Sequence, residues 1–361
     1  MNTPREIDLA ITSRCNLRCL YCSHFTSNSE VSEELSTKQL LNFFSECQAA
    51  RIMRITLSGG EPLIREDLPE IINGITANKM RFRILSNGTL ITEKLAEHIA
   101  SSGRCEFIQI SIDSSIPSIH DSCRGKGMFE KAVTGLKILM KYCIPSTVRV
   151  TINKVNLCSI RDTAKFLLED VGLKGFSVNS AGYMGLSRQN SGDIMLDNSE
   201  RQTAMETLIE LKHLYGSRIS AAAGPLWEAE NWMKMIKAAD NSEPQWSEGG
   251  ALTACGCVFS RLFVRADGYY CICQQIPHSM LGKVGASSLK DAWNHSEMQR
   301  MRKRKEISLR TFNECSECRF VHYCTGNCPA IAYNTCGDIY VPNPDSCLKR
   351  FLEAEGKVPN C

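Results

Sequence analysis

Cysteine placement constrains this chain more than any other feature. Of its nineteen cysteines, eleven fall in the last 111 of 361 residues, and three crowd into the run Cys15-x3-Cys19-x2-Cys22. A secreted disulfide scaffold is one way to use so many thiols, but such scaffolds are short and carry a secretion signal. This chain is long, and its start, Met-Asn-Thr-Pro-Arg-Glu-Ile-Asp, has no apolar signal core. Tight thiol clusters in a cytoplasmic protein, the location expected here, more often hold metal.

Composition narrows the partners. Forty-two Lys and Arg against thirty-nine Asp and Glu leave a formal charge of +3, so no basic field invites nucleic acid. A 43% hydrophobic and 22% charged content is that of an ordinary globular chain. No apolar run reaches the roughly 18 residues of a spanning helix, so no membrane partner is expected.

Apolar, β-branched runs recur at Ile7–Thr12, Ile52–Leu57, Phe82–Leu85, Phe107–Ile112, Thr147–Ile152 and Gly175–Val178. Helical patterns lie between them, around Thr37–Gln48, Glu66–Asn78, Thr92–Ser101, Phe129–Lys141 and Ile160–Asp170. This alternation predicts an α/β fold with a parallel sheet. Six strands are too few for a full barrel, so an open, partial (β/α)6 barrel over residues 1–190 is expected. Ligands of such sheets gather at the C-terminal strand ends. Residues 191–250 read as a bridging region, with a helix over Ser199–Leu214 and packing tryptophans. Residues 251–361 read as a cysteine-rich domain of short strands and loops that needs metal staples.

The motifs fall after successive strands. The triad follows the first; three thiolates can hold three irons of a [4Fe–4S] cube and leave the fourth open. A zinc knuckle completed by His24 is the alternative. Ser58-Gly59-Gly60-Glu61-Pro62 follows the second strand, where two glycines admit close backbone approach and a carboxylate can meet an ammonium. Ser86-Asn87-Gly88-Thr89 follows the third, either as an Asx turn or as ribose ligands. Ser111-Ile112-Asp113-Ser114 ends the fourth, with Arg124 following; Arg and Ser could clamp a carboxylate, or Arg could make a surface salt bridge.

In this order the motifs resemble the radical S-adenosylmethionine (SAM) superfamily over residues 6–190. The resemblance implies that SAM chelates the open iron. Glu61, with the backbone of Gly59 and Gly60, would hold its ammonium. Arg124 with Ser111 would take its carboxylate, Ser86 and Asn87 its ribose, and Tyr21 its adenine. It also implies reductive cleavage of SAM to methionine and a 5′-deoxyadenosyl radical that abstracts a substrate hydrogen.

Further on, Cys315-x2-Cys318-x5-Cys324-x3-Cys328, with Gly268-x4-Cys273 upstream and Cys347 downstream, is similar to the SPASM domain of peptide-modifying and sulfatase-maturing radical SAM enzymes. A pair of zinc sites is the alternative. The likeness implies two auxiliary [4Fe–4S] clusters, hence three in all. Cys315, Cys318, Cys324 and Cys347 would hold one. Cys328 would join Cys273 and the pair Cys255 and Cys257 on the other. The two-residue spacing of Cys255 and Cys257 departs from the family pattern, and Cys271 competes with Cys273, since a strand would face both to one side.

Cys47, Cys105, Cys143, Cys158, Cys336 and Cys361 have no partner spacing and are expected as buried apolar thiols. Cys123, beside Arg124, is a candidate hydrogen donor, on no better ground than Cys271 or Cys336. The implied function is modification of a ribosomally made peptide or a protein side chain (RiPP maturation). A reductant such as flavodoxin or ferredoxin would serve it. With the first strand starting by Ile7, no leader-binding domain is expected, so a separate recognition protein or direct binding is implied. Haem- or quinone-type cofactor synthesis is the alternative enzyme reading. An iron–sulfur carrier or zinc-stapled adaptor is the non-enzyme one, disfavoured because neither needs the SAM-binding turn.

Overall fold

In the computed structural model, residues 3–25 and 33–359 are described. All six expected strands form: β1 (Glu6–Thr12), β2 (Arg54–Gly59), β3 (Arg81–Ser86), β4 (Cys105–Ser111), β5 (Ser146–Ile152) and β6 (Phe176–Ser180). They pair in parallel, in sequence order. Between and after them run α1 (Thr37–Ala49), α2 (Leu68–Ala77), α3 (Glu93–Ser101), α4 (Pro117–Arg124), α5 (Met128–Lys141) and α6 (Ile160–Lys165), the last running on through a π turn to Asp170. Short helices α7 (Gly185–Gln189) and α8 (Ser191–Ile194) precede α9 (Asn198–Tyr215) and α10 (Pro225–Asp240).

Strand alternation explains the layering. Ile7, Leu9 and Ile11 of β1, Ile55 and Leu57 of β2, and Ile108 and Ile110 of β4 are all essentially inaccessible and belong to the main core. Polar residues take the alternate positions inside the barrel. Near the N-terminal strand ends Glu6, Arg54, Arg83 and Glu106 form a partly buried ion network. The helices begin with local signals, such as the capping boxes of Ser36 with Gln39 and of Asp197 with Glu200.

The sheet is longer than six strands. A seventh, β7 (Ile219–Ala221), extends it beyond β6; β8 (Arg261–Val264) pairs in parallel with β1, and β9 (Tyr270–Cys271) pairs antiparallel with β8. The stretch expected as a bridge therefore supplies a barrel strand and two core helices. The cysteine-rich part contributes the sheet's opposite edge. One buried apolar cluster runs through Ile7, Trp232, Val264 and Phe351, so the sheet and core are shared across positions 190 and 250. Period-2 patterning could not reveal β7, β8 and β9, because runs of two to four residues carry almost no alternation.

Candidate active site at the barrel mouth

The barrel motifs lie at or just past the C-terminal ends of β1 to β4. The cysteine loop leaves β1 and is tied back by Glu34, whose carboxylate accepts from Thr12 Oγ1, the Ser13 amide and Arg14 Nε. The glycines of the next loop have a role the sequence did not suggest. A Cβ on Gly59 would lie 2.1 Å from the Thr12 carbonyl oxygen, and one on Gly60 2.1 Å from that of Arg14. Gly59 also has φ +138°. The amides of Gly60 and Glu61 donate to those same two carbonyls. The close approach is thus to the chain's own cysteine loop, which the Gly-Gly turn holds in place.

Glu61 is 1% exposed. Its carboxylate accepts from Ser86 Oγ (2.8 Å), the Asn87 amide (2.7 Å) and the Leu63 amide (3.1 Å). Burial outweighs these donors and pushes its carboxyl up to about 7. Asn87 does form an Asx turn, accepting from the Thr89 amide at 2.9 Å, while its Nδ2 donates to Asn16 in the cysteine loop. Turn and site coincide here.

Asp113 is the residue that sequence reasoning left without a role. It shares the inward face with Ser111, and its side chain is fully buried. It accepts from Arg124 Nε at 2.5 Å, from the Tyr21 hydroxyl and from the Thr151 amide at 2.9 Å. Burial acts upward on its carboxyl, but the Arg124 charge and hydrogen bond hold it below the usual range. Arg124, at the end of α4, is 7% exposed, so its salt bridge is a buried one rather than a surface one. Its Nη1 lies 3.9 Å from Cys19 Sγ, and its guanidinium stands 5.2 Å from the Tyr21 ring centroid. Asp113 therefore fixes Tyr21 and Arg124 together beside the triad.

Cys15, Cys19, Cys22, Tyr21, Gly59, Gly60, Glu61, Ser86, Asn87, Ser111 and Arg124 all line one cavity of about 280 Å³, joined there by Thr151 and Asn179. Cys123 does not. It is 2% exposed, packs with Ala181 and Ile194, and its thiol faces Asn153 Oδ1 at 3.8 Å. A hydrogen donor must reach substrate, so the donor role expected for Cys123 is withdrawn. His24 is turned toward the Ser13 carbonyl, at 3.1 Å.

The remaining thiols sort into two sets. Cys257 interacts electrostatically with Cys255, Cys273 and Cys328, and Cys273 with Cys328 and Cys255. Within the close pair, the Cys257 thiol donates to Cys255 and lowers it. Cys324 interacts with Cys347, Cys315 and Cys318. These four line a larger cavity of about 1160 Å³. Of these thiols Cys271 interacts electrostatically with Cys273 alone. The strand ends at Cys271, two residues before Cys273. The Cys271 thiol is buried against the Pro277 carbonyl at 3.4 Å. Of the unpaired thiols expected in the interior, Cys47 is buried and Cys105 partly so. Cys143, Cys158 and Cys336 are exposed, because they sit in turns or at a helix end rather than on core faces. Cys361 lies outside the described residues.

Three thiolates at the mouth and four in each C-terminal set are donor numbers that iron–sulfur cubes take. Around one zinc, thiolates stand about 3.8 Å apart, given a Zn–S bond near 2.3 Å. Among the described residues no three His, Cys, Asp or Glu side chains converge closely enough for a single ion. Burial raises the thiols of Cys15 (to about 11), Cys19 (to about 12) and Cys324 (to about 11), so each must release a proton to a metal that binds it.

A partial α/β barrel with a thiol triad and a buried carboxylate at its strand ends, continued into a thiol-rich region, defines a class, and comparison with known proteins specifies it. Residues 9–167 match the radical SAM superfamily and residues 255–319 match an iron–sulfur cluster-binding domain, SPASM. The chain is a radical SAM enzyme with a C-terminal SPASM domain. The superfamily binds SAM and a [4Fe–4S] cluster, and SPASM domains bind iron–sulfur clusters. The chain is 27% identical over 353 residues to the AdoMet-dependent heme synthase of Methanosarcina barkeri (strain Fusaro / DSM 804), covering 97% of each chain. It is also 27% identical over 290 residues to the sporulation killing factor maturation protein SkfB of Bacillus subtilis (strain 168), covering 80% of this chain and 64% of SkfB. In fold it is similar to Streptococcus suis SuiB bound to the precursor peptide SuiA, with a TM-score of 0.71 and 14% identity over 96% of this chain and 76% of SuiB. It is likewise similar to anSMEcpe with bound AdoMet, with a TM-score of 0.69 and 17% identity over 96% of each chain. Among the described residues no helix is long and apolar enough to cross a membrane.

Proposed function

We propose that this enzyme modifies a ribosomally made peptide or a protein side chain, entering at the barrel mouth. One observation carries the reading. The SAM-site cavity adjoins a second one of about 450 Å³, and the two share Ser23, His24, Gln274 and Gln275. Gln274 and Gln275 supply amide groups along this trough, between α7 and the cysteine-rich region, while the Asn334 amide nitrogen donates to the Gln275 and Ala330 carbonyls. An extended polypeptide needs such partners for its backbone; a flat macrocycle asks for an apolar slot. The peptide named with SuiB supports the same reading.

In this proposal Cys15, Cys19 and Cys22 hold the SAM-binding cluster. Cys255, Cys257, Cys273 and Cys328 hold one auxiliary cluster, and Cys315, Cys318, Cys324 and Cys347 the other. The cluster and SAM together supply reductive generation of a 5′-deoxyadenosyl radical. This chain's residues bind and orient. Glu61 takes the ammonium of SAM, Arg124 with Ser111 its carboxylate, Ser86 and Asn87 its ribose, and Tyr21 its adenine. Asp113 keeps Arg124 and Tyr21 in register. A reductant of the flavodoxin or ferredoxin type and a separate recognition protein complete the expected partners.

Haem-type cofactor synthesis is the second reading, favoured by the near-complete overlap with the heme synthase. Co-expression with short peptides encoded beside its gene, followed by mass spectrometry, separates the two. A peptide mass change with stoichiometric 5′-deoxyadenosine is expected. Turnover of an iron porphyrin, with every such peptide unchanged, would replace the first reading by the second.

A further inference from the structure

The cysteine-rich region is tied to helices α9 and α10 by an ion network, buried at Glu228 and 41% exposed at Asp345, that neither the motifs nor the reaction uses. Arg201, in the first turn of α9, donates through Nη1 to the Asp345 carbonyl (2.7 Å) and through Nη2 to Asp345 Oδ1 (3.1 Å). Its Nε lies 3.7 Å from Glu228 Oε2, with side-chain exposures of 14% and 4%. Glu228, on α10, also accepts from the Ser346 hydroxyl, while its Oε2 has no hydrogen-bond partner. Asp345 and Ser346 directly precede Cys347.

Two further contacts give the loop its register. Asn327, left-handed at φ +58° and adjacent to Cys328, donates to the Ser346 carbonyl at 2.7 Å. Buried Asn343 accepts from the Asp345 amide at 2.9 Å. At the other end, α10 starts hard against β6. A Cβ on Gly224 would lie 2.7 Å from the Ser180 amide nitrogen, and Ser180 lines the SAM-site cavity. A short rigid path thus joins the reaction cavity to the Cys347 loop.

An apolar pair would join these elements at no desolvation cost, whereas a buried ion pair is a poor source of stability, its best-attested use being to fix register. We propose that Arg201 and Glu228 are positioning residues for the auxiliary cluster. They set the Cys347 thiol against Cys315, Cys318 and Cys324, and tie that cluster to the barrel mouth. The proposal rests on the reading that these four thiolates hold a cluster.

The test uses the full chain, reconstituted anaerobically, with Cys15, Cys19 and Cys22 replaced by Ala so that only auxiliary clusters report. Arg201→Met alone strands a buried carboxylate and endangers folding, so the informative variant is the double Arg201→Met, Glu228→Leu, which removes both charges. Iron release to a chelator should quicken about tenfold or more for one cluster, the range seen when groups that orient metal ligands are lost. The electron paramagnetic resonance spectrum of that cluster should change while the other's stays fixed as an internal control. Arg201→Lys, with Glu228 intact, should restore most of both. Release within twofold of the parent and an unaltered spectrum would overturn the proposal. If Cys347→Ala in the parent leaves iron content unchanged, the ligand reading itself has failed, and the positioning role fails with it.

Discussion

The barrel mouth and the cysteine-rich end both gather thiols, yet they are built differently. At the mouth, strand ends fix each residue, and hydrogen bonds to Glu34, Glu61 and Asp113 hold the loops from within. At the other end, short turns border a cavity of about 1160 Å³, and left-handed residues such as Cys255 and Asn327 turn the chain at or beside its thiols. The loops of the first site are held by these protein hydrogen bonds. In the second, the proposed clusters would supply bonds between the thiols.

The largest effect expected from this contrast is catalytic. Replacing Cys15, Cys19 and Cys22 by Ala should abolish 5′-deoxyadenosine formation under anaerobic assay. Iron should fall from about 12 to about 8 per chain, at four per cube. Surviving turnover would refute the mechanism, and a variant retaining about 4 irons would reduce the auxiliary clusters to one.

Next comes the consequence of stripping iron from the intact protein. Limited proteolysis and hydrogen exchange should show residues 251–359 opening while the strands of the barrel stay protected. Equal loss in both regions would erase the contrast. Equal retention would mean that the turns hold the cysteine-rich end without metal.

Asp113→Asn tests preorganisation at the mouth. Removing the charge opposite buried Arg124 should cost about 3–5 kcal/mol of stability and weaken SAM binding at least about tenfold. Unaltered SAM affinity in a calorimetric titration would show that Tyr21 and Arg124 do not need their anchor. A finer check sets Cys271→Ala, which should leave iron content unchanged, against Cys273→Ala, which should lower it.

The smallest effect is a pH dependence. Because burial holds the Glu61 carboxyl near 7, against 4.5 unperturbed, the folded protein binds its proton more tightly than the unfolded chain does. Its stability contribution is thus present below pH 4.5 and is lost as pH rises toward 7. SAM binding runs the other way, since an ammonium needs the ionised carboxylate. Affinity should rise a few-fold to about tenfold between roughly pH 6 and pH 8, and Glu61→Gln should flatten that profile.

Much of this was legible in the sequence. Six strands and the loop motifs follow from alternation and spacing, which are local properties, while the partition of eight C-terminal thiols comes only from the family resemblance. The sequence also contains Asp113, but nothing local says that it meets Tyr21, ninety-two positions away, or that Arg124 is spoken for. The glycine pair was readable as a close approach, though not as an approach to Thr12 and Arg14. Cys271 and Cys273 could not be separated without knowing where a two-residue strand stops.

What the sequence by itself determined is the chemistry on offer: which thiols and polar side chains exist, in what order, and at which strand ends. Tertiary structure alone decided which charges neutralise one another, which thiols face a common space, and that the cysteine-rich region shares the barrel's sheet through β8. The physical reason is range. Strand periodicity and ligand spacing are fixed within a few residues of chain, whereas burial, ion pairing and sheet-edge pairing arise only when distant segments exclude water together.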